Sequence, residues 1–175
     1  MKLMILGHGR HGKDSVCEIA QQHFNISYQS SSKFCCDLFI YDSLKFIYKY
    51  SSSEECYNDR HNKRAIWYNL IAQYNKHDAA RLGKELYQKY DIYCGLRSAV
   101  EFRALRDCGA FDYCIWVDRS KWLPQEPKDS ISVDASMADY TIDNNGSLEE
   151  LESKTIQLFT HLKRQKNENT TCKQP

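Results

Sequence analysis

The sequence is poor in the residues that interrupt regular structure, with 7 glycines and 3 prolines among 175 residues. This scarcity excludes collagen-like and low-complexity chains. No apolar run approaches the roughly 18 residues that a membrane-spanning helix needs. The apolar stretch at residues 2–6 is too short for a signal peptide and predicts a buried strand instead. We therefore expect a chain that has no membrane segment and works in the cytoplasm.

An excess of charge of one sign is also lacking. Lys and Arg number 24 and Asp and Glu number 23, which leaves a net charge of +1. This balance excludes a histone-like nucleic-acid coat, although a local basic patch remains open. Apolar residues make up 42% and aromatic residues 13% of the chain, which excludes a disordered protein. The length suits one domain of ordinary size, which needs neither disulfides nor a structural metal.

The 8 cysteines include no C-x-x-C pair. Several of them lie in apolar periodic segments, where a buried thiol is the ordinary interpretation. We expect free thiols in a reducing compartment and no structural zinc site.

Apolar periodicity predicts strands that alternate with helices. The predicted strands are residues 2–6, 25–29, 91–96, 111–117 and 140–143. The predicted helices are residues 13–24, one capped by Ser32, a long one from 53 to about 75, 78–90, 98–109, and one that a Ser-Leu-Glu-Glu capping box opens at 147. This alternation predicts an α/β fold in which helices cover both faces of a parallel sheet.

Composition changes little along the chain and marks no strong domain boundary. We predict one domain over residues 1–163, with a helical insertion at about 32–90 and a Pro-bearing excursion at about 119–137. Residues 164–175 are polar and are expected to form a frayed tail.

One specific motif lies between the first predicted strand and the first predicted helix. It has the G-x-x-x-x-G-K spacing of a phosphate-binding loop, or P-loop. Its residues are Gly7, His8, Gly9, Arg10, His11, Gly12, Lys13, Asp14 and Ser15. Glycines let the backbone N–H groups point inward as an anion nest, and the helix N-terminus adds partial positive charge. Lys13 supplies a cation for the β- and γ-phosphates, so the loop predicts binding of ATP.

The motif departs from the usual pattern at one position. Asp14 follows the lysine where a Ser or Thr is usual, and Ser15 comes next. Because Mg²⁺ prefers oxygen ligands, either Asp14 or Ser15 is a candidate metal ligand. Asp118 ends the strongest predicted strand and is a third candidate, with an ordinary turn residue as the alternative.

At this point the chain resembles a known family. The loop is similar to that of phage deoxynucleoside monophosphate kinases, within the thymidylate-kinase-like P-loop kinases. The narrower resemblance is to phage 5-hydroxymethyluracil DNA kinases, over roughly residues 2–160. The segments that carry it are residues 5–14, 30–34, 59–64, 91–97 and 142–146.

The resemblance implies a P-loop kinase fold and a reaction. The family phosphorylates the hydroxymethyl group of 5-hydroxymethyluracil within DNA to 5-phosphomethyl-deoxyuridine, with ATP as donor and Mg²⁺ as cofactor. The product is an activated base for thymidine hypermodification, which protects phage DNA from host restriction. A phage protein of this kind would work in the host cell cytoplasm.

Candidate acceptor residues follow from the need for cations around the acceptor. Arg60, Lys63, Arg64 and Trp67 lie on one predicted helix, where a basic and aromatic face suits backbone phosphate and a base. The alternative for this group is a solvated, charged helix end. Arg97 follows a predicted strand at its carboxyl end, where ligands bind in open α/β sheets, or it pairs with Glu101 as a cap.

Other roles are assigned by chemistry and position. Arg119 and Lys121 open the excursion at 119–137, the place for a short lid over ATP. An alcohol acceptor must lose a proton, so a carboxylate in reach is expected. Asp37, which resembles the catalytic aspartate of other hydroxyl-phosphorylating P-loop kinases, is preferred over Asp59.

Three functions remain in competition. The leading hypothesis is a DNA-base kinase, against which the near-neutral net charge counts mildly. A deoxynucleoside monophosphate kinase shares the donor site. A non-catalytic nucleotide-binding regulator is disfavoured by the intact lysine and the adjacent acid.

Overall fold

A computed structural model describes residues 1–128 and 130–171, with side chains as far as Glu168. Cys172 and the last residues of the predicted tail lie outside the described residues. Of the cysteines that are described, Cys108 is exposed and the others are buried free thiols. No helix in residues 1–128 and 130–171 combines the length and apolarity that crossing a bilayer requires.

The centre of the fold is a sheet of five parallel strands in the order β2-β3-β1-β4-β5. The strands are β1 Leu3–Leu6, β2 Tyr28–Ser30, β3 Ile92–Cys94, β4 Tyr113–Asp118 and β5 Tyr140–Asp143. β1 is central and every one of its residues is fully buried, as expected for a strand covered on both faces. All five carboxyl ends therefore meet at one edge, where β1 runs into the predicted phosphate loop.

The helices connect these strands. They are α1 Lys13–Phe24, α2 Ser31–Cys35, α3 Tyr41–Tyr48, α4 Ser53–Asn58, α5 Arg64–Tyr74, α6 Arg81–Lys89, α7 Ala99–Asp107 and α8 Leu148–Thr171. A π-helical segment, Cys36–Ile40, joins α2 to α3, and 3₁₀ turns lie at Asp59–His61 and Ala135–Met137.

Side chains alternate across β1 and divide the core in two. Leu3 and Ile5 pack with α1 and α8, where Phe159 is fully buried. Met4 and Leu6 face the opposite side, which α6, α7 and the helical insertion cover. The predicted α/β fold, a parallel sheet with helices on both faces, is confirmed.

The prediction of one long helix from residue 53 to about residue 75 is wrong. The segment divides into α4, a 3₁₀ turn and α5. The Asp59 carboxylate accepts hydrogen bonds from the Tyr50 hydroxyl (2.5 Å) and the Asn62 amide (2.7 Å). Such side-chain bonds compete with a continuous helix, so Arg60 and Lys63 lie before α5, whereas Arg64 and Trp67 lie on it.

Two helix ends also differ from the prediction. Ser30, two residues before the predicted cap, accepts from the Lys33 N–H at 3.2 Å and begins α2. At the other end of the chain, α8 continues to Thr171, past the predicted start of a frayed tail at 164. Tyr140 and Asp112 hold this last part, because the Tyr140 hydroxyl donates to Gln165 and Asp112 accepts from Lys166 at 2.5 Å.

A buried carboxyl group lies on α7. Glu101 is 6% exposed, and its Oε1 accepts a hydrogen bond from the Tyr93 hydroxyl at 2.9 Å. Burial raises the pKa of Glu101 from 4.5 to about 7, against the opposing effect of the Tyr93 bond. Since the folded chain binds this proton more tightly, the group's contribution to stability is complete below pH 4.5 and is lost as the pH rises through 7.

We expect Glu101→Gln to remove this pH dependence while it keeps an oxygen for Tyr93. When the pH is raised from 5 to 8, the free energy of unfolding should fall in the wild type by about 2–3 kcal/mol more than it falls in the variant. Urea denaturation at both pH values measures the difference. Asp107→Asn, at an exposed position of the same helix, is the control and should behave like the wild type. An equal loss in wild type and Glu101→Gln would contradict the assignment.

Candidate functional site

The phosphate loop is shaped by close contact with two neighbouring strands. Gly7 has φ 146°, and a Cβ on it would lie 2.6 Å from the Val117 carbonyl oxygen of β4. Gly12 has φ 94°, and a Cβ there would lie 2.2 Å from the Asn144 amide nitrogen. That amide donates to the His11 carbonyl at 2.9 Å. Glycine is therefore required at both ends of the loop by conformation and by space.

Lys13 folds back over this loop. Its Nζ donates to the His8 carbonyl at 2.6 Å. Burial lowers the pKa of Lys13, and the nearby Cys94 thiol and Asp14 carboxylate act in the opposite direction. A Cβ on Gly95, at the end of β3, would lie 3.7 Å from Lys13 Cε. The ammonium group thus lies at the carboxyl edge of the sheet, where an anion would complete its charge balance.

The two histidine side chains point into the protein. His8 is 8% and His11 0% exposed. His11 Nδ1 accepts the Arg119 N–H at 3.0 Å, and His8 Nδ1 accepts the Glu126 N–H at 3.2 Å. The rings therefore hold Arg119 and Glu126, two residues of the predicted lid, against the loop. Their backbone N–H groups, with those of the other loop residues, remain the predicted phosphate donors.

The candidate metal ligands lie in two places. Asp14 is exposed and Ser15 half-buried in the first turn of α1. Asp118, at the end of β4, accepts from the Ser120 hydroxyl at 2.9 Å and from the Asn145 amide at 3.3 Å. No cluster of three His, Cys, Asp or Glu side chains suited to a metal occurs in residues 1–128 and 130–168. An exposed carboxylate beside a hydroxyl fits Mg²⁺, which takes oxygen ligands and keeps most of its remaining positions for water and phosphate.

The predicted acceptor residues are only partly brought together. The pKa of His61 is lowered by burial and by Arg60, Arg64 and Arg97. The charges of all three arginines act on His61, and we call Arg60, Arg64 and Arg97 the arginine cluster. It joins the helical insertion to the carboxyl end of β3.

Two predicted acceptor residues have other surroundings. Trp67 is 5% exposed and belongs to the core under the insertion, so it has no face for stacking on a base. Its neighbour Tyr68 is 71% exposed. Lys63 lies 4.4 Å from the centre of the Tyr48 ring.

The candidate base, Asp37, lies in the π-helical segment and is already engaged. Its Oδ1 accepts from Lys33 Nζ at 2.6 Å and from the Ser53 hydroxyl at 2.5 Å. Both hydrogen bonds fall on the same carboxylate oxygen.

Residues 119–126, the first part of the segment predicted as a lid, lie against the phosphate loop and the turn after β5. Besides the Arg119 contact, the Lys121 N–H donates to Asn145 Oδ1 at 3.0 Å, and the Trp122 indole donates to the Asn145 carbonyl at 2.7 Å. These bonds involve the backbone N–H of Lys121 and the indole of Trp122. The charged side chains of Arg119 and Lys121 take no part in them, and their role as lid cations stays a prediction.

Glu126 is the lid residue that sequence reasoning missed. Its carboxylate accepts the Gly9 N–H at 2.6 Å and pairs with Arg97 at 2.9 Å. Arg97 therefore does not pair with Glu101, which is bonded to Tyr93. Nothing in the local sequence, a lone Glu between Pro124 and Pro127, distinguishes this carboxylate from a solvent-exposed one.

No family model and no curated protein matches the chain by sequence. Among solved structures it is similar to shikimate kinase from Aquifex aeolicus, with 14% identity over 92% of this chain and 97% of that one and a TM-score of 0.50. It is also similar to shikimate kinase from Acinetobacter baumannii in complex with shikimate, with 13% identity over 93% and 94% of the two chains and a TM-score of 0.50. At this identity the likeness concerns the fold, and the chain has the P-loop kinase fold.

Proposed function

We propose that the chain is an ATP- and Mg²⁺-dependent phosphotransferase. The observation that carries the proposal is Lys13, an ammonium group held over a glycine-rich strand-to-helix loop at the carboxyl edge of a parallel sheet. Loop N–H groups and the amino end of α1 bind the phosphates of ATP, and Lys13 neutralises charge at the β- and γ-phosphates. Phosphoryl transfer needs such positioning and charge neutralisation more than covalent help from the protein.

Asp14 and Ser15 hold the metal in this proposal, with Asp118 at the neighbouring strand end. Bound Mg²⁺ supplies charge neutralisation at the oxygens of the β- and γ-phosphates. The exposed Asp14 carboxylate accepts one long hydrogen bond, from the Cys94 thiol at 3.6 Å, whereas Asp118 has hydrogen bonds from both Ser120 and Asn145.

The acceptor we propose is the hydroxymethyl group of 5-hydroxymethyluracil in DNA. The arginine cluster supports an acceptor that carries phosphate, because guanidinium groups bind phosphate through paired hydrogen bonds. The resemblance of residues 59–64 and 91–97 to phage DNA kinases narrows this to a DNA base. The product would enter thymidine hypermodification and protect phage DNA from restriction.

In this transfer the hydroxyl oxygen forms a bond to the γ-phosphorus while the bond from that phosphorus to the β–γ bridging oxygen breaks. ADP leaves and the hydroxyl proton passes to a carboxylate. Asp37 is the proposed base, and because Lys33 and Ser53 both donate to its Oδ1, its Oδ2 is the oxygen proposed to accept that proton.

The engagement of Asp37 favours a second candidate, a deoxynucleoside monophosphate kinase. The phosphate oxygen of a monophosphate is already ionised, so its phosphorylation needs no base. The arginine cluster would then bind the acceptor phosphate directly.

Transfer of label from [γ-³²P]ATP separates these functions. We expect label in DNA that contains 5-hydroxymethyluracil and none in the same DNA with thymine, since thymine lacks the hydroxyl group. Label found only in deoxynucleoside diphosphates would establish the second candidate. Binding of ATP with no transfer to either acceptor would instead support a regulator without catalytic activity.

Lys13→Met should lower kcat by about 10²–10³-fold, the range seen when a single charge-stabilising group is removed from a transition state. The variant should keep its fold, because the change removes a buried charge and retains an apolar chain of similar length. Steady-state kinetics and a thermal melt measure the two effects. Lys76→Met, at an exposed position after α5, is the matched control. Activity within twofold of the wild type would refute the role of Lys13.

Arg64→Ala tests the acceptor surface. A lost charge-assisted hydrogen bond contributes about 1.5 kcal/mol or more, so we expect KM for the acceptor to rise at least about tenfold. KM for ATP should stay unchanged, since the donor binds at the loop. Arg103→Ala, at an exposed position on α7, is the control. A selective rise in KM for ATP would place Arg64 on the donor side instead.

A further inference from the structure

The Glu126 carboxylate bridges the phosphate loop and the arginine cluster. One oxygen accepts the Gly9 N–H at 2.6 Å and the other accepts from Arg97 at 2.9 Å. A Cβ on Gly9 would lie 3.3 Å from the carboxyl carbon of Glu126, closer than ordinary contact. The glycine thus admits an acidic group against the loop backbone, in the manner of a bound oxyanion.

Glu126 carries its charge at neutral pH. Burial raises its pKa, but the hydrogen bond and charge of Arg97, the Gly9 N–H and Lys13 together lower it below the ordinary value of 4.5. The carboxylate also raises the pKa of Lys13 in return. An ionised group therefore balances the loop amide, Arg97 and Lys13.

The position of this carboxylate corresponds to one end of the triphosphate. In a P-loop the lysine reaches the β- and γ-phosphates, whereas the helix amino end lies nearer the α- and β-phosphates. Glu126 binds the loop at Gly9, next to His8, whose carbonyl holds Lys13 Nζ. It therefore lies at the terminal-phosphate end.

The lid keeps Glu126 at this place through contacts that do not involve its carboxylate. The Glu126 N–H donates to His8 Nδ1 at 3.2 Å, and the Arg119 N–H donates to His11 Nδ1 at 3.0 Å. A ligand that competes for Gly9 must therefore displace the carboxylate from a segment that two histidine rings hold close to the loop.

We propose that Glu126 determines donor specificity by occupying the terminal-phosphate position of the loop until a triphosphate displaces it. This inference rests on the proposed function. A nucleoside monophosphate leaves Glu126 in place. A triphosphate takes over the Gly9 N–H, and the displaced carboxylate releases Arg97 toward the rest of the arginine cluster.

Glu126→Gln removes the charge and keeps the size of the side chain. We expect the Kd for MgATP to fall about tenfold or more, since a charged competitor for Gly9 and Arg97 is lost. The Kd for AMP should change less than twofold, because AMP has no phosphate at that position. Isothermal titration calorimetry with both nucleotides measures these shifts, and a thermal melt verifies the fold. Glu168→Gln, at an exposed position near the end of α8, controls for net charge.

A second variant and a second measurement test the same inference independently. Glu126→Ala removes the competing oxygen altogether and should bind MgATP at least as tightly as Glu126→Gln. In ¹⁵N spectra the Gly9 amide resonance should shift in both variants without nucleotide, because its hydrogen-bond acceptor has changed.

The outcomes separate this inference from the proposed function. MgATP affinity that is unchanged or weaker in both Glu126 variants would overturn the inference and leave the kinase proposal standing. Tighter MgATP binding by the variants, with no phosphoryl transfer by the wild type to any acceptor, would support the inference and overturn the proposed function. A chain that binds no MgATP in any form would overturn both.

Discussion

The close approach of two strand ends to the phosphate loop is the constraint on which the candidate site depends. The Val117 carbonyl and the Asn144 amide leave no room for a side chain at Gly7 or Gly12. The loop therefore passes close to both strand ends on its way from β1 to α1. That path places the His8 carbonyl where Lys13 donates to it and turns both histidine rings toward the lid. Donor site and lid thus share one scaffold.

Charge balance links the donor and acceptor sides of the site. Burial lowers the pKa of Lys13. Burial raises the pKa of Glu126, but the opposing effects of Arg97 and Gly9 are larger, so the pKa of Glu126 is lowered. Glu126 is in contact with the loop through Gly9 and with the arginine cluster through Arg97. A change in the charge bound at the loop therefore changes the electrostatic environment of Arg97. Coupling of this kind suits a transferase, in which the acceptor must be aligned only when the donor is present.

The proposed acceptor side is built less regularly than the proposed donor side. A π-helical segment and a 3₁₀ turn interrupt the helical insertion, and Asp59 stabilises the second break through Tyr50 and Asn62. Arg60 lies in the 3₁₀ turn and Arg64 begins α5, while Trp67 on α5 is buried in the core. Irregular helices at such a place are typical of functional sites. They also explain why Arg60 and Trp67 do not share the face that one straight helix would give them.

The sequence by itself determined the parallel α/β fold, the boundaries of α1 and β5, and the position of the phosphate loop, because these depend on local periodicity and on glycine spacing. The tertiary structure alone decided that His8 and His11 hold the lid, that Arg97 pairs with Glu126 rather than Glu101, and that Asp37 is engaged by Lys33. Glu126 and Gly9 are 117 residues apart. A hydrogen bond between such distant residues depends on where the whole sheet places two loops, and no local pattern of residue types encodes that placement.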